Sequence, residues 1–387
     1  MRKSAIIILL NMLIFTSGKS QEYTPQLVDS ITYRHYINGS WDSLISVCRT
    51  VYKTTDIDFM FLRQRLGYAY FMKQNYALSK YHYERSLRFD ASDATSVYYL
   101  YLNGLYSGDD GYARFYARKL DKTTQKTENL HAFRILNLVD AEYNFKTGSE
   151  LYERSSTHYM RLGLGTQPGY RFSLYQSVSD FKQQFYRILN VKQQSYFALL
   201  TYKLKANLSL SAGVHFIETG LNDTASYNST LIVAKLAYGK HRFDGSLQGS
   251  VYKTTTETTA QVTLHGGISL PEIKHLYLYA DFSSLKYNAE ANFVTKLGLG
   301  LAPFNRTWID LNVVNGKQLN FIDFNGLYVY NSTDYLQLKS SASLYYYLNK
   351  NITLVTNYIL EKRTAADFST SNTYYQHSIT GGFIWKF

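Results

Sequence analysis

From about residue 131 to its end the chain alternates apolar and polar residues, and this period of two constrains the fold more than any other feature. In RFDGSLQGSVY one alternate set is apolar or glycine: Phe243, Gly245, Leu247, Gly249 and Val251. YLQLKSSASLYYYL repeats the pattern, with Leu336, Leu338, Ala342, Leu344 and Tyr346 set against Gln337, Lys339, Ser341 and Ser343. Successive side chains of a strand point to opposite faces. Strands that are apolar on one face and charged on the other predict a lipid-facing exterior and a polar interior.

The composition agrees with exposed strands. The chain has 38 Tyr and 22 Phe, whereas only 18% of its residues are charged and only four are proline. Tyrosine and phenylalanine are typical of strands and of the belts at membrane interfaces. The net charge is +12, but the basic residues are scattered, so no nucleic-acid partner is predicted.

The N-terminus has the pattern of a secretory signal peptide. Arg2 and Lys3 precede an apolar stretch over residues 5–15, and Gly18 and Ser20 occupy the small-residue positions of a cleavage site. A spanning helix needs about 20 apolar residues, so we expect residues 1–20 to be removed near Ser20 rather than kept as an anchor. The lone Cys48 is predicted to be a small buried residue in a helix.

Residues 21–130 show helical spacing, clearest in LRQRLGYAYFMKQNYALSKYHYERSLRFDASD. Small and large residues recur there with the spacing of a tetratricopeptide repeat, at Leu66, Gly67, Tyr70, Ser79, Tyr83 and Ser86. Small residues let two antiparallel helices approach, and aromatic residues fill the groove. The segment resembles one such repeat, with a generic stack of helical hairpins as the alternative. Either arrangement predicts an interaction surface rather than a catalytic one.

Connection lengths predict the number of strands. Short turns at TQPGY, KAN, GKH, PEIK, PFNR and NKN alternate with longer connections such as SDFKQQFYRIL, TGLNDTAS and RTAADFSTSN. With both ends of the barrel in the periplasm, this alternation gives about 14 strands over residues 131–387, and 12 or 16 remain as alternatives. Residues 315–334 then form one long surface loop, which can pair with itself and can plug the lumen.

The last residues, GGFIWKF, continue the outward stripe through Phe383, Trp385 and Phe387. With the alternation, this ending resembles the last strand of Gram-negative outer-membrane barrels, here of a Bacteroidetes-like kind. The resemblance implies recognition of the terminal aromatic residue by the barrel-assembly machinery, and contact with outer-membrane lipid and lipopolysaccharide. A helical module before a barrel is also similar to YaiO-like barrels and to tetratricopeptide–barrel exporters of exopolysaccharide.

The alternation also predicts which charged residues face the lumen: Arg161, Arg171, Arg242, Asp244, Lys296, Asp310, Lys339 and Glu361. They form either an ion-paired network that fills a narrow barrel or a polar path whose charges select a solute. Two histidines, His215 and His265, are predicted to point inward. No catalytic, metal or cofactor motif is present, so no cofactor is expected and an enzyme of the barrel rim is the least favoured function.

The sequence therefore predicts an α + β multidomain protein. Tetratricopeptide-like helical hairpins over residues 21–130 lie in the periplasm, and an antiparallel up-and-down transmembrane barrel of about 14 strands follows. The predicted function is a pore or an export component, with the helical module binding a periplasmic protein or polymer. A non-conducting scaffold that docks periplasmic partners is the alternative.

Overall fold

A computed structural model describes residues 23–150, 153–222, 224–270, 273, 275–287, 290–331, 334–366 and 371–387. The predicted signal peptide and its cleavage site at Ser20 lie outside these residues. The chain forms two compact units, Met1–Asn103 and Gly104–Phe387. The predicted domain boundary at residue 130 lies between the last helix and the first barrel strand.

The described residues contain seven α-helices: α1 (Pro25–Ile37), α2 (Trp41–Thr54), α3 (Met60–Met72), α4 (Tyr76–Ser86), α5 (Ala94–Tyr106), α6 (Asp110–Ala117) and α7 (Lys122–Thr127). Side chains cap several of them, because the first backbone N–H groups of a helix have no partner within it. The Thr24 hydroxyl accepts from the N–H of Leu27, and the Asn75 amide oxygen accepts from that of Leu78. Within the described residues, no helix has the length and apolar character needed to cross a membrane.

Helices α3 and α4 meet through the small and aromatic residues that the spacing singles out. The Ser79 hydroxyl donates to the carbonyl of Gly67 at 2.8 Å, and the Tyr83 ring lies against the Gly67 backbone. A side chain at position 67 would overlap that ring, so only glycine permits this approach. The predicted packing residues are buried: Leu66, Tyr70, Ser79, Tyr83 and Ser86. The tetratricopeptide assignment itself stays a prediction.

The second unit contains a closed antiparallel barrel of 14 strands, which confirms the predicted fold class. The strands before the long connection are β1 (Arg134–Lys146), β2 (Thr157–Gly169), β3 (Phe172–Phe185), β4 (Leu189–Lys205), β5 (Leu208–Leu221), β6 (Ala225–Lys240), β7 (Phe243–Lys253), β8 (Thr258–Leu270), β9 (Leu276–Tyr287), β10 (Glu290–Leu301) and β11 (Thr307–Gln318). A small hairpin follows, with strands β12 (Phe321–Asp323) and β13 (Tyr328–Tyr330), and the barrel resumes with β14 (Tyr335–Tyr347), β15 (Ile352–Ala366) and β16 (Ser371–Lys386).

Each barrel strand pairs with its neighbour in the chain, β11 pairs with β14, and β16 closes the barrel onto β1. We call the end that carries the start of β1 and the end of β16 the turn end, and the opposite end the loop end. The predicted short turns lie at the turn end. The predicted lengths at the loop end are wrong for several connections, because SDFKQQFYRIL and TGLNDTAS are mostly strand. Strands of up to 17 residues exceed the 9–11 that cross a bilayer, which accounts for the difference.

The outer wall is apolar, as the alternation predicts. Large apolar side chains on successive strands are exposed, among them Met160, Val178, Phe216, Ile232, Leu247, Val262, Phe282, Leu297, Val313, Leu344 and Ile379. This exterior is typical of a barrel surrounded by lipid. Leu336 is an exception that the alternation places wrongly on the outside. The register shifts between Leu336 and Leu338, and this bulge turns Leu336 inward, where it is buried.

Candidate functional site in the barrel lumen

The connection between β11 and β14 folds into the lumen, where residues 319–331 form what we call the lumen hairpin. Its strands β12 and β13 pair with each other, from Phe321 with Tyr330 to Asp323 with Tyr328. A 3-10 turn, Phe324–Gly326, joins them, and Asn325 and Gly326 have positive φ. The connection is thus the self-paired hairpin that the sequence allowed, and it lies inside the barrel.

Apolar side chains on both faces of the lumen hairpin pack against the inner wall. Ile322 joins a cluster with Ile217, Leu231 and Tyr252, whereas Phe321 joins one with Leu285, Val294 and Val314. These wall residues lie in the loop-end halves of their strands. The apolar contacts therefore fix the lumen hairpin in the loop-end half of the lumen.

Polar contacts also hold the lumen hairpin to strands on several sides of the barrel wall. The carboxylate of Asp323 lies between two ammonium groups, 3.0 Å from Lys296 and 3.1 Å from Lys339. The Gln261 side chain exchanges two hydrogen bonds with the backbone of Ile322, at 2.8 and 2.9 Å. Further partners are Glu142 for the hydroxyl of Tyr328, His215 for the carbonyl of Gly326, Lys235 for Asn325, and Gln193 and Tyr252 for Asn331. Among the described residues, these polar partners of the hairpin come from eight barrel strands.

A cavity of about 1570 Å³ remains in the lumen beside the hairpin. Its wall carries several ion-paired clusters. Arg161 pairs with Asp140 at 2.5 Å and with Glu142 at 3.0 Å. Glu361 pairs with Lys146 at 2.9 Å and with Arg363 at 2.8 Å. These contacts match the predicted network, and the volume shows that the network does not fill the barrel.

A histidine with two carboxylate partners lies on the turn-end part of the wall. The Nδ1 atom of His265 is 2.5 Å from Asp281, and its Nε2 atom is 2.9 Å from Asp244. The hydroxyl of Tyr277 donates to the same Asp244 carboxylate at 3.0 Å. Each ring nitrogen has a carboxylate acceptor, and only the protonated ring can donate from both nitrogens. This arrangement therefore suits a positively charged ring held by two carboxylates, not a catalytic base.

The structure separates the predicted lumen charges into two groups. Arg161, Lys296, Asp310, Lys339 and Glu361 line the cavity, and Asp244 reaches it through His265. The other two are corrected: Arg171 and Arg242 belong to the turns between β2 and β3 and between β6 and β7. The guanidinium of Arg171 contacts the hydroxyl of Tyr202 and the carbonyl of Leu204. Both arginines lie just beyond their strands, where the alternation no longer applies.

Strands β1 and β16 pair where the barrel closes, and we call this junction the seam. There, Trp385 pairs with Val139 and Phe383 with Ala141 on the outward face. The Trp385 and Phe387 rings stack at 4.6 Å. Sequence analysis placed Lys296 and Lys339 in the lumen but missed Asp323, the carboxylate that joins them, although the connection lengths allowed a self-paired hairpin here. Across the described residues, no group of three His, Cys, Asp or Glu side chains is arranged to hold a metal ion.

The barrel is similar to several solved structures. The KdgM porin in complex with disordered oligogalacturonate shares 12% identity over 65% of this chain and 99% of that chain, with a TM-score of 0.35. The P. putida toluene transporter TodX shares 7% identity over 66% and 91%, with a TM-score of 0.45. CdiB from Acinetobacter baumannii shares 11% identity over 66% and 61%, with a TM-score of 0.40. No protein-family model and no curated protein matches this sequence.

Proposed function

We propose that this protein is an outer-membrane channel, a transport or export component of the cell envelope, whose resting lumen is narrowed by its own hairpin. The observation that carries the proposal is the cavity beside the lumen hairpin, with ion-paired residues on its wall, inside a closed barrel with an apolar outer wall. A lumen that served only as structure would have no need of such a cavity. The lumen hairpin, bound mainly through side chains, is then the movable element.

The proposed location is the outer membrane, with the helical residues 21–130 in the periplasm and the signal peptide cleaved near Ser20. A closed antiparallel barrel is one of only two architectures that satisfy every backbone group in lipid. Lipopolysaccharide and lipid would surround the wall, and the barrel-assembly machinery would insert it through the Phe387 end. The tetratricopeptide-like module would bind a periplasmic protein or polymer and deliver it to the turn end of the barrel.

The test is single-channel conductance of the refolded protein in planar bilayers. We expect small or rare openings for the full chain and a stable, larger conductance when a short glycine–serine linker replaces residues 319–331. A matched control replaces Thr255 and Thr256, exposed in another loop-end connection, with glycine and should conduct like the full chain. If neither the full chain nor the hairpin deletion conducts, the channel proposal fails.

One observation favours the second candidate, a non-conducting scaffold. The lumen hairpin combines two apolar clusters with a buried ion-paired carboxylate, which is the anchoring of a permanent core element. A scaffold predicts that the hairpin deletion unfolds the barrel instead of opening it. Heat-modifiable mobility of the deletion variant on gels separates the two, since only a folded barrel shows it.

A further inference from the structure

The strongest unexplained feature of the lumen is a carboxylate without a cation. At the turn end, Oδ1 of Asp310 accepts hydrogen bonds from the Tyr279 hydroxyl and the Asn312 amide, both at 3.0 Å. In the part of the chain that the structure describes, Asp310 has no ion-pair partner and its Oδ2 atom has no donor. The two neighbouring carboxylates, Asp244 and Asp281, already share His265.

A second, independent observation lies beside it. Asn312 is only 8% exposed and lines the cavity. Its Nδ2 atom donates to Asp310, while its Oδ1 atom is buried without any hydrogen-bond partner. Asn357, also on the cavity wall, has an unpartnered Oδ1 as well. Buried polar atoms are normally paired, so these acceptors indicate a missing donor.

Aromatic rings lie on the wall next to the same carboxylate. The ring of Trp308 covers Gly300 and that of Tyr279 covers Gly298, since a side chain at either glycine would overlap the ring. Both residues line the cavity. Tyr345 lies directly opposite Trp308 on β14. Aromatic faces attract cations through the negative charge of the ring face.

From these three features we infer that Trp308, Asp310, Asn312 and Tyr279, which we call the Asp310 site, bind an organic ammonium ion. The unpartnered atoms around Asp310 are acceptors, so the ligand must supply donors. A neutral sugar, which donates and accepts in equal measure, matches the acceptors less well. A strongly hydrated inorganic cation would gain little from the aromatic faces. The inference rests on the proposed function only in requiring that a solute enters the lumen.

Binding is measured on the full chain in neutral detergent at low ionic strength, by calorimetry with spermidine and with maltotriose as a neutral probe. We expect saturable binding of spermidine and none of maltotriose. Asp310→Asn keeps the hydrogen bond from Tyr279 but removes the charge, and should weaken binding about tenfold or more. Trp308→Leu should weaken it about fivefold by removing one ring face.

The matched control is Asp244→Asn, which removes a lumen carboxylate that already has a cationic partner, and it should change the affinity less than about twofold. Heat-modifiable mobility shows that each variant is folded. Equal losses from Asp310→Asn and Asp244→Asn would indicate non-specific attraction to acidic residues and overturn the inference. Binding of maltotriose that is as tight as that of spermidine would overturn it too. Conductance is not used here, so this result is independent of whether the barrel conducts.

Discussion

The helical unit buries its apolar residues, whereas the barrel exposes apolar residues on its outer wall and buries charged residues inside. In the helical unit, apolar residues such as Leu44, Cys48 and Leu62 are fully buried. In the barrel, Leu247 is 53% exposed on the outer wall, whereas the charged Glu361 is buried on the inner wall. One chain therefore uses the same residue types with opposite orientation. This difference is the one expected when water surrounds the helices and lipid surrounds the strands.

The lumen hairpin is an exception, because it places buried apolar residues inside the barrel. Ile322 and Phe321 form apolar clusters of the kind found in water-soluble proteins, yet they do so inside the polar lumen. The barrel therefore has an exposed apolar exterior and, in its loop-end half, a small apolar core of its own. Among the residues that the structure describes, both apolar clusters of the lumen hairpin lie in the loop-end half. The following predictions test this comparison, from the largest expected effect to the smallest.

The outward face of the last strand should decide whether the barrel forms at all. We expect the double variant Trp385→Asp, Phe387→Asp to lose nearly all inserted barrel, because two charges would face lipid and remove the aromatic end. The control is Ile384→Asp, since Ile384 directly precedes Trp385 in the same strand and lines the lumen. The measurement is heat-modifiable mobility in the membrane fraction. Equal insertion of both variants would show that the outward assignment is wrong.

The lumen hairpin should depend strongly on its single buried carboxylate. Asp323→Asn leaves Lys339 without its counter-charge and Lys296 with only Asp281, at 3.9 Å. Removing one partner of a buried pair costs about 3–5 kcal/mol. We expect faster hydrogen exchange of residues 320–331 and a larger open fraction in conductance. Adding Lys296→Met and Lys339→Met should restore part of the protection. If Asp323→Asn exchanges like the wild type, the ion pairs do not hold the hairpin.

The same charge should affect the stability of the barrel very differently on the two faces of one strand. Leu247→Arg places a guanidinium in lipid near the middle of β7 and should destabilise the barrel by about 2–4 kcal/mol. Ser246→Arg places it in the polar lumen and should change stability much less. Urea unfolding in lipid vesicles measures both. Equal destabilisation by the two variants would contradict the opposite solvents assigned to the two walls.

The smallest expected effect on the molecule is in the helical unit, and it concerns the reactivity of the Cys48 thiol. Burial raises the pKa of Cys48 to about 12 from 9.0, although Arg63 and Arg65 oppose the shift. At pH 8 the thiolate fraction should be about a thousandfold lower than in the unfolded chain, so a disulfide reagent should react only after denaturant is added. Because the folded-state pKa is raised, the protonated thiol contributes fully to the free energy of unfolding below about pH 9, and this contribution is lost as the pH rises towards about 12. Rapid labelling of folded protein at pH 8 would show that Cys48 is accessible.

The sequence predicts the walls well because their rule is local. The period of two in β7 and the turns at KAN and GKH need only neighbouring residues, and they yield the strand number and most orientations. Errors arise where the period is interrupted. A bulge at residues 336–338 reverses Leu336, and Arg171 and Arg242 lie one step past the strand ends, in turns.

The candidate site was only partly predictable because its contacts are distant in sequence. Asp323 meets Lys296 and Lys339 only after the wall curves around the hairpin. The sequence predicts that Asp310 faces the lumen, but the missing counter-charge and the rings next to Gly298 and Gly300 depend on the register of neighbouring strands. No residue pattern in a single strand contains that information.

The position of the lumen hairpin also bears on how the chain folds. Nearly every wall contact joins strands that are adjacent in sequence, and such short loops close at little entropic cost. The hydrogen bond from Tyr328 to Glu142 instead spans 186 residues, and the β1–β16 seam joins the two ends of the barrel. A hairpin enclosed by the wall is most easily placed before that seam closes. The order of assembly would then be wall segments first, the hairpin second and the seam last, with the seam sealing the hairpin inside.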